Sequence, residues 1–494
     1  MGCPVNAYEK TNRGRTPWGV RGPNEMNRIA WLVAGFMACC LWACSMAPPY
    51  ERPVAPVPAD WPAGAAYEKT ATTETVAEPA QISWRTVIND NRLRQVVETA
   101  LAENRDLRIA ALNVARAREA YGIQRAALFP AVDANAGGSV QRVPADLSSS
   151  GEAKTSERYD VNLGVAAWEI DFFGRLRSLK EQALEAYLAT EQARRSARIL
   201  IVAGVTDAYL AMAADRENLQ LAETTLENQK EAYFLIKRRF EGGIASELDL
   251  RRAQTQVDTA RRDVALYTQR VAQDRNALNL LAGTVLPDPL LPPVLSAVDP
   301  PAGVSAGISS VVLLQRPDIL AAEHRLMGAN ANIGAARAAL FPRIALTTTA
   351  GTASSELSGL FGAGSGAWLF APQIVAPIFD ARLWSALEAV KAEHQIAVAQ
   401  YEKAIQTAFR EVADALALRG TITDQVAAQQ SVVDAAQETY RLSVARYDQG
   451  VDSYLSVLDA QRSLYLAQRI LVALRLQEQV SRMRLYTALG GGAE

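Results

Sequence analysis

The sequence predicts a membrane protein of mixed α and β structure: four strands per chain in a trimeric, twelve-stranded β-barrel, continued by a long periplasmic α-helical barrel of coiled hairpins. Three observations carry this. The second half of the chain repeats the first, two long stretches hold almost no helix breakers, and two shorter stretches at matching places turn to alternating, β-type composition. Arg125-Ala-Ala-Leu-Phe-Pro130 recurs letter for letter as Arg337-Ala-Ala-Leu-Phe-Pro342, an offset of 212. Arg239 to Leu248 reads against Arg446 to Leu455 at an offset of 207, which Gly283 and Gly490 keep. Stacked repeats run at about 20–50 residues, so this period marks a duplicated unit of domain size. The five-residue change falls between Pro130 and Arg175, a segment that tolerates insertion as a surface loop does.

Between Arg175 and Glu241 there is no proline and one glycine, Gly204; between Ala381 and Gln449 there is again no proline and one glycine, Gly420. Both stretches are dense in Ala, Leu, Glu, Gln and Arg, which favour helix. At 1.5 Å per residue each helix is roughly 100 Å long, and burying one face of it requires side-by-side partners. Glu247 to Ala282 and Val451 to Leu489, also free of Gly and Pro, are those partners. Gly243 and Gly450 lie between and supply the left-handed backbone that ends a helix. Val451, Leu455, Leu458, Leu464, Leu466, Ile470 and Leu474 recur at helical spacing in the last helix. A shorter helix precedes each repeated Ala-Ala-Leu-Phe-Pro segment, at about 91–128 and 318–340.

After that segment the composition changes. Residues 131–143 with 157–170, and 343–353 with 366–378, are Ala-, Val-, Gly- and Thr-rich and partly alternating, as in Val161-Asn-Leu-Gly-Val165. Ser- and Gly-rich loops join each pair, so each reads as a β-hairpin with strands of about ten residues, enough to cross a bilayer when tilted. Pro130 and Pro342 stand at strand entry, where a missing N–H is tolerated. Four strands cannot close a barrel, and an open edge cannot face lipid. Two copies give eight strands and little lumen; three give twelve and a bore.

At the N-terminus, Met26-Asn-Arg28 precedes an uncharged apolar run from Ile29 to Ala43, too short to span a membrane and suited to a signal peptide. Leu41-Trp-Ala-Cys44 resembles a bacterial lipobox, with Cys44 as the lipid attachment site and new N-terminus, Ser45 after it resembling lipoproteins sent to the outer membrane, and Met26 as the natural start. An ordinary cleaved signal is the alternative. The four cysteines are Cys3, Cys39, Cys40 and Cys44, so the mature chain has no internal disulfide. Six prolines between Pro48 and Pro62 make an extended, semi-rigid tether. The expected domains are an upstream segment and signal peptide (1–43), the lipidated Pro-rich tether (44–89), repeat 1 (90–300, β-hairpin 131–170) and repeat 2 (301–490, β-hairpin 343–378).

Composition excludes several function classes. Charge is nearly balanced, 51 basic against 53 acidic residues, which gives no footprint for nucleic acid. The two histidines, His324 and His394, are far apart in sequence, and no metal-ligand spacing, phosphate loop or nucleophile elbow occurs. No enzyme, metal or cofactor is expected beyond the covalent lipid on Cys44.

Several motifs make the resemblance specific: Arg316-Pro-Asp318 with Ala322-Glu323, the run Ala329-Asn-Ala-Asn-Ile-Gly-Ala-Ala-Arg-Ala-Ala-Leu-Phe-Pro342, and Gly450-Val-Asp-Ser-Tyr-Leu-Ser-Val-Leu-Asp-Ala-Gln-Arg462. With the lipobox and the doubly inserted strand hairpins, they resemble the TolC-type outer-membrane efflux channels, in particular the OprM/NodT-like lipoprotein branch, over roughly residues 45–490. The resemblance implies a homotrimeric exit duct in outer-membrane lipid. Its partners would be a periplasmic adaptor and an inner-membrane resistance–nodulation–division pump. It also implies a gate: Leu455 as an apolar constriction by threefold repetition, Asp459 as an acidic ring, and Arg462 and Tyr447 in contacts that hold the helices shut. Leu455, Asp459 and Arg462 fall on one helix face. The first half keeps Leu248 at the first of these positions but has Arg252 at the second, so the halves differ at the gate. Gly243, Ser246, Gly450 and Ser453 resemble the tips presented to the adaptor. Plainer readings stay open: Leu455 as coiled-coil core, Asp459 and Arg462 as a surface ion pair, and the tip residues as helix caps. A type I secretion duct of the same fold and a lipid-tethered periplasmic coiled coil are the alternative functions.

Overall fold

The computed structural model describes residues 46–67, 82–304 and 309–492, and the chain divides into two compact units. The signal segment 1–43 and Cys44 lie outside the described residues. The smaller unit draws on Pro130–Arg175 and Ala338–Ile378. It holds β1 (Asp133–Val143), β2 (Lys154–Ile170), β3 (Arg343–Ser354) and β4 (Gly366–Val375) in one antiparallel sheet of order β1-β2-β3-β4. β1 and β4 are therefore its edge strands.

The register sorts side chains onto two faces, because successive residues of a strand point to opposite sides. The pairs Asn135–Asn162, Gly137–Asp160, Ser139–Arg158 and Gln141–Ser156 put a polar row on one face. The pairs Ala134–Leu163, Leu163–Ala350, Ala350–Trp368 and Thr348–Phe370 run an apolar row across the other. β2 is longer than the sequence suggests, 17 residues, because Lys154 to Glu157 continue the ladder with Val140 to Val143. Its register shifts between Val165 and Trp168, where Ala167 takes a φ of 51° and donates its N–H to Thr347 Oγ1 at 3.1 Å. The extra residue is a β-bulge. It changes the parity of the strand, so that Trp168 pairs with Leu346 on the apolar face and Glu169 with Ala345 on the polar one. There Glu169 takes both Nε and Nη2 of Arg175, at 2.8 and 2.7 Å.

The larger unit is helical: α1 (Trp84–Val87), α2 (Asn91–Glu103), α3 (Arg105–Ala126), α4 (Arg175–Glu241), α5 (Glu247–Ala282), α6 (Pro317–Ala338), α7 (Ala381–Asp448) and α8 (Tyr454–Ala488). α4 and α7 run 67 and 68 residues without a break. The helix expected over 91–128 is instead two helices, parted at Asn104. That residue leaves helical geometry (ψ 132°), caps α3 by accepting from the N–H groups of Asp106 and Leu107, and donates Nδ2 to Leu281 O at 2.8 Å. Asn competes with the backbone in this way wherever a neighbour offers its own partner. The main core packs Val202, Val205, Tyr209 and Leu210 of α4 with Leu278 of α5, Tyr401 and Ile405 of α7, and Val472 and Met483 of α8. α4 is long and apolar enough to cross a membrane by length and composition, but this apolar stretch is packed in the core.

The described part of the Pro-rich segment, residues 46–67, forms neither helix nor strand and is seated on the helices. Pro48 O accepts from Asn330 Nδ2 at 2.8 Å, and Ala59 O accepts from Ser310 N at 2.8 Å. Glu323 of α6, 2% exposed, receives Tyr50 Oη (3.1 Å) and both Nε and Nη2 of Arg52 (2.6 and 2.9 Å). Trp61 stacks on Phe409 at 5.3 Å. The single glycine in α7 follows from this: a Cβ on Gly420 would sit 2.0 Å from Ala66 O. Proline-rich backbone has few N–H groups to satisfy and a pre-set φ, so it lies along helices at low entropic cost.

Candidate functional site

The two helix hairpins, α4–α5 and α7–α8, end in turns built alike. Gly243 and Gly450 have φ of 74° and 73°. Gly243 N donates to Phe240 O and Ile244 N to Arg239 O; Gly450 N donates to Tyr447 O and Val451 N to Arg446 O. These are the bonds of a left-handed helix stop, and a residue with a Cβ would be strained at either glycine. Ser246 caps α5: its Oγ accepts from Asp249 N (3.1 Å) and donates to Asp249 Oδ2 (2.7 Å). Ser453 stands at the same place before α8 and makes no side-chain cap. Instead Asp452 takes Nε and Nη2 of Arg446 at 2.6 and 3.1 Å, which holds its carboxyl below the usual range.

A second apolar cluster joins the hairpins near these tips. Ile236 of α4, Ala253 of α5 and Tyr454, Val457 and Leu458 of α8 are its buried members. Burial, with Tyr440, Tyr447 and Asp249 nearby, pushes the Tyr454 hydroxyl up to about 12. Over residues 454–462 of α8 the buried positions are Tyr454, Val457, Leu458, Ala460 and Gln461, and the exposed ones Leu455, Asp459 and Arg462. The three residues expected at the gate therefore share one face, and it is a face that the chain's own packing leaves open. Leu455 is 40% exposed, outside the seam of its own hairpin. Asp459 and Arg462 meet in an exposed i,i+3 ion pair at 3.0 Å.

Tyr447 packs at the tip of α7. Its ring stands 5.4 Å from that of Tyr454, with the Arg239 guanidinium 4.9 Å from its centroid. Arg239, Tyr454 and the Arg446–Asp452 pair were missed from sequence. The available signal was that Arg239 and Arg446 are duplicates whose neighbours differ. Among the described residues no group of three or more His, Cys, Asp or Glu could hold a metal ion. His324 is paired with Glu185 at 2.7 Å.

The profile of the family described as Outer membrane efflux protein matches residues 96–284 and 308–491, once in each half of the chain. The chain belongs to the outer membrane efflux protein family. Among the relatives of this efflux protein is the probable efflux pump outer membrane protein TtgC of Pseudomonas putida, 50% identical over 456 residues, 92% of this chain and 94% of the relative. Among solved structures, a membrane protein from Pseudomonas aeruginosa superposes with a TM-score of 0.84 at 41% identity, covering 91% of this chain and 98% of that one. The open state of the Neisseria gonorrhoeae MtrE outer membrane channel gives 0.81 at 38% identity, covering 91% and 99%. The chain is thus an outer-membrane efflux duct of the β-barrel and α-helical-barrel fold class, and its function is transport.

Proposed function

We propose that three copies of this chain form the passive exit duct of a tripartite efflux system, fed by a periplasmic adaptor and an inner-membrane resistance–nodulation–division pump. The carrying observation is the sheet: one polar face, one apolar face and two unpaired edges. An isolated edge cannot sit in hydrocarbon, since each bare N–H and C=O there costs several kcal/mol. Joining β1 of one copy to β4 of the next removes every edge. Three copies then make twelve strands with the polar row toward a water-filled lumen and Trp168, Trp368, Phe370 and Ile374 toward lipid. Lipid on Cys44 adds an anchor, and Gly243, Ser246, Gly450 and Ser453 lie in the turns offered to the adaptor. The chain performs no chemistry on its cargo.

The closed end is the exposed face of α8. Threefold repetition of Leu455 narrows the bore with apolar surface, and three Asp459 carboxylates set a cation preference, as rings of carboxylates do. Arg462, already on Asp459 within one chain, tempers that charge. Tyr447, under Arg239 and beside Tyr454, fixes the tip of α7 on which the gate leans. The test is conductance of purified trimers in a planar lipid bilayer. Leu455→Ala with Asp459→Ala should turn a small, cation-preferring leak into a severalfold larger and less selective one. Unchanged conductance and selectivity in confirmed trimers would place the constriction elsewhere. Absence of trimers, with a Cys44→Ser variant released without detergent, would favour the tethered coiled coil, because lipid would then be its only hold on the membrane.

A further inference from the structure

A buried acid lies between the two hairpins, away from their tips. Asp263 of α5 is 3% exposed. Its Oδ2 accepts a hydrogen bond from Tyr465 Oη of α8 at 3.1 Å. Its Oδ1 accepts from Nε and Nη2 of Arg262 at 3.1 and 2.7 Å. Arg262 is its neighbour in sequence, with a side chain 71% exposed, so Asp263 has its countercharge from within α5. Tyr465 is the donor that crosses between hairpins.

One turn further, Arg469 of α8 places its guanidinium 5.5 Å from the Tyr267 ring and 5.6 Å from the Tyr465 ring. Tyr267, of α5, is 2% exposed and carries Arg270 at 5.4 Å as well. α5 thus contributes Asp263 and Tyr267, and α8 contributes Tyr465 and Arg469, each pair at i,i+4 on one helix face. The result is two polar rungs across the hairpin interface. Tyr465 lies eleven residues beyond Tyr454, roughly 16 Å along α8 and past the face that holds Leu455, Asp459 and Arg462.

The duplication makes this contact informative. At the offset of 207, Ile470 occupies the place of Asp263, and Asp258 the place of Tyr465. Asp258 is instead on the surface with Arg261, at 2.8 Å. The rungs are therefore absent from the equivalent positions of the other half, unlike the glycine turns that both halves keep. A feature needed only to make a coiled hairpin would be expected twice. A buried carboxylate is tolerated only while it is hydrogen-bonded. Parting or sliding α8 from α5 strands one oxygen of Asp263 and unstacks Arg469, so the cost falls on that movement.

We propose that Tyr465 and Asp263, braced by Arg469 and Tyr267, form a latch that holds the α7–α8 hairpin on α4–α5 and sets how often the duct opens. This rests on the duct function proposed above. Tyr465 and Asp263 act through the position of α8; the bore itself is narrowed at the Leu455 face.

The test compares full-length trimers in planar bilayers: wild type, Tyr465→Phe, Asp263→Asn, Asp263→Leu, and Leu455→Ala with Asp459→Ala as reference. Tyr465→Phe removes one hydroxyl and keeps the ring, so folding is spared. It should raise the fraction of time open roughly tenfold, the scale of one hydrogen bond to a charged group. Cation preference should stay as in wild type, because the Asp459 ring is intact. Asp263→Asn keeps a carbonyl that accepts from Tyr465, so its effect should be smaller than that of Asp263→Leu. A merely structural role would lower the melting temperature of the trimer without changing open time. If Tyr465→Phe and Asp263→Leu trimers open no more often than wild type while the reference variant conducts strongly, the latch is wrong and the duct stands. If no variant forms a pore, the duct reading falls with it.

Discussion

Gly420 and Gly204 give opposite answers to the same substitution. Each is the only glycine in the interior of a very long helix, α7 or α4. Alanine in place of glycine in a helix interior gains about 1 kcal/mol from backbone entropy. At Gly204 a new Cβ would meet Leu281 Cδ2 at 3.7 Å and Cδ1 at 3.9 Å, ordinary van der Waals contact, so the full gain should appear. At Gly420 the Cβ would lie 2.0 Å from Ala66 O and 3.0 Å from Ala66 C, both backbone atoms of the seated tether. A carbon and an oxygen need roughly 3.3 Å, so the tether must retreat by more than an ångström. Its neighbours Trp61, stacked on Phe409, and Tyr67, packed on the core, resist that. Overpacking of this kind costs about 1–3 kcal/mol, which exceeds the propensity gain. Gly420→Ala should therefore lower stability by about 1 kcal/mol net, while Gly204→Ala raises it by a similar amount. Thermal unfolding of detergent-solubilised protein, followed by far-ultraviolet circular dichroism, reads the difference. Equal stabilisation by both substitutions would show that the tether does not occupy the α7 surface.

Asp274 tests the electrostatics of the α4–α5 hairpin. Burial first, and then the Asp215 carboxylate, push it from an ordinary value near 3.8 to about 6; Asp215, with Arg270 at 3.8 Å, is raised as well. Between those values the folded chain holds a proton that the unfolded chain has lost, so stability falls as pH rises through that window and the penalty is complete above about 6. The unscreened figure is roughly 3 kcal/mol, and partial exposure reduces it to about half. Asp274→Asn should raise the melting temperature at pH 7.5 and leave it nearly unchanged at pH 4; a variant no more stable than wild type at pH 7.5 would contradict this. Glu323→Gln keeps the size of the side chain but loses the charge that Arg52 grips in two places. It should cost about 1–2 kcal/mol locally, seen as faster amide hydrogen exchange over residues 47–61, and unchanged exchange would refute the clamp.

How much of this was legible depends on what each feature asks of the chain. α4 and α7 were readable because a long helix needs only composition and the absence of breakers, and both are local. The sheet was readable because Val161, Leu163 and Val165 alternate with Asn162 and Gly164. The bulge at Ala167 was not, since a parity change shows only once Trp168 is seen paired with Leu346 on the apolar face. The split at Asn104 was hidden for a similar reason: its side-chain amide is held by Leu281 O, a residue 177 positions away. Extended Pro-rich backbone carries no periodicity, so the seat of the tether could be suspected only from the glycine that makes room for it.

The candidate site divides in the same way, and here the duplication is instructive. The shared face of Leu455, Asp459 and Arg462 follows from helical spacing alone, but that it is the uncovered face required the neighbours in α4 and α5. Repetition predicts backbone well: the two turns agree in φ to within a degree and in their hydrogen bonds. It predicts side-chain contacts poorly. Arg239 and Arg446 are duplicates, yet the first lies over Tyr447 and the second binds Asp452. Arg446 finds its partner in its own turn, where the first half has Ala245 in place of Asp452, whereas Arg239 reaches across to the other hairpin. Each hairpin's neighbour is the other hairpin, so every contact across the interface joins unlike partners. Sequence drift after duplication is then free to make one side of the interface a latch and the other a plain helix surface. An asymmetric gate is what a duplicated chain can reach without altering the fold that the duplication supplied.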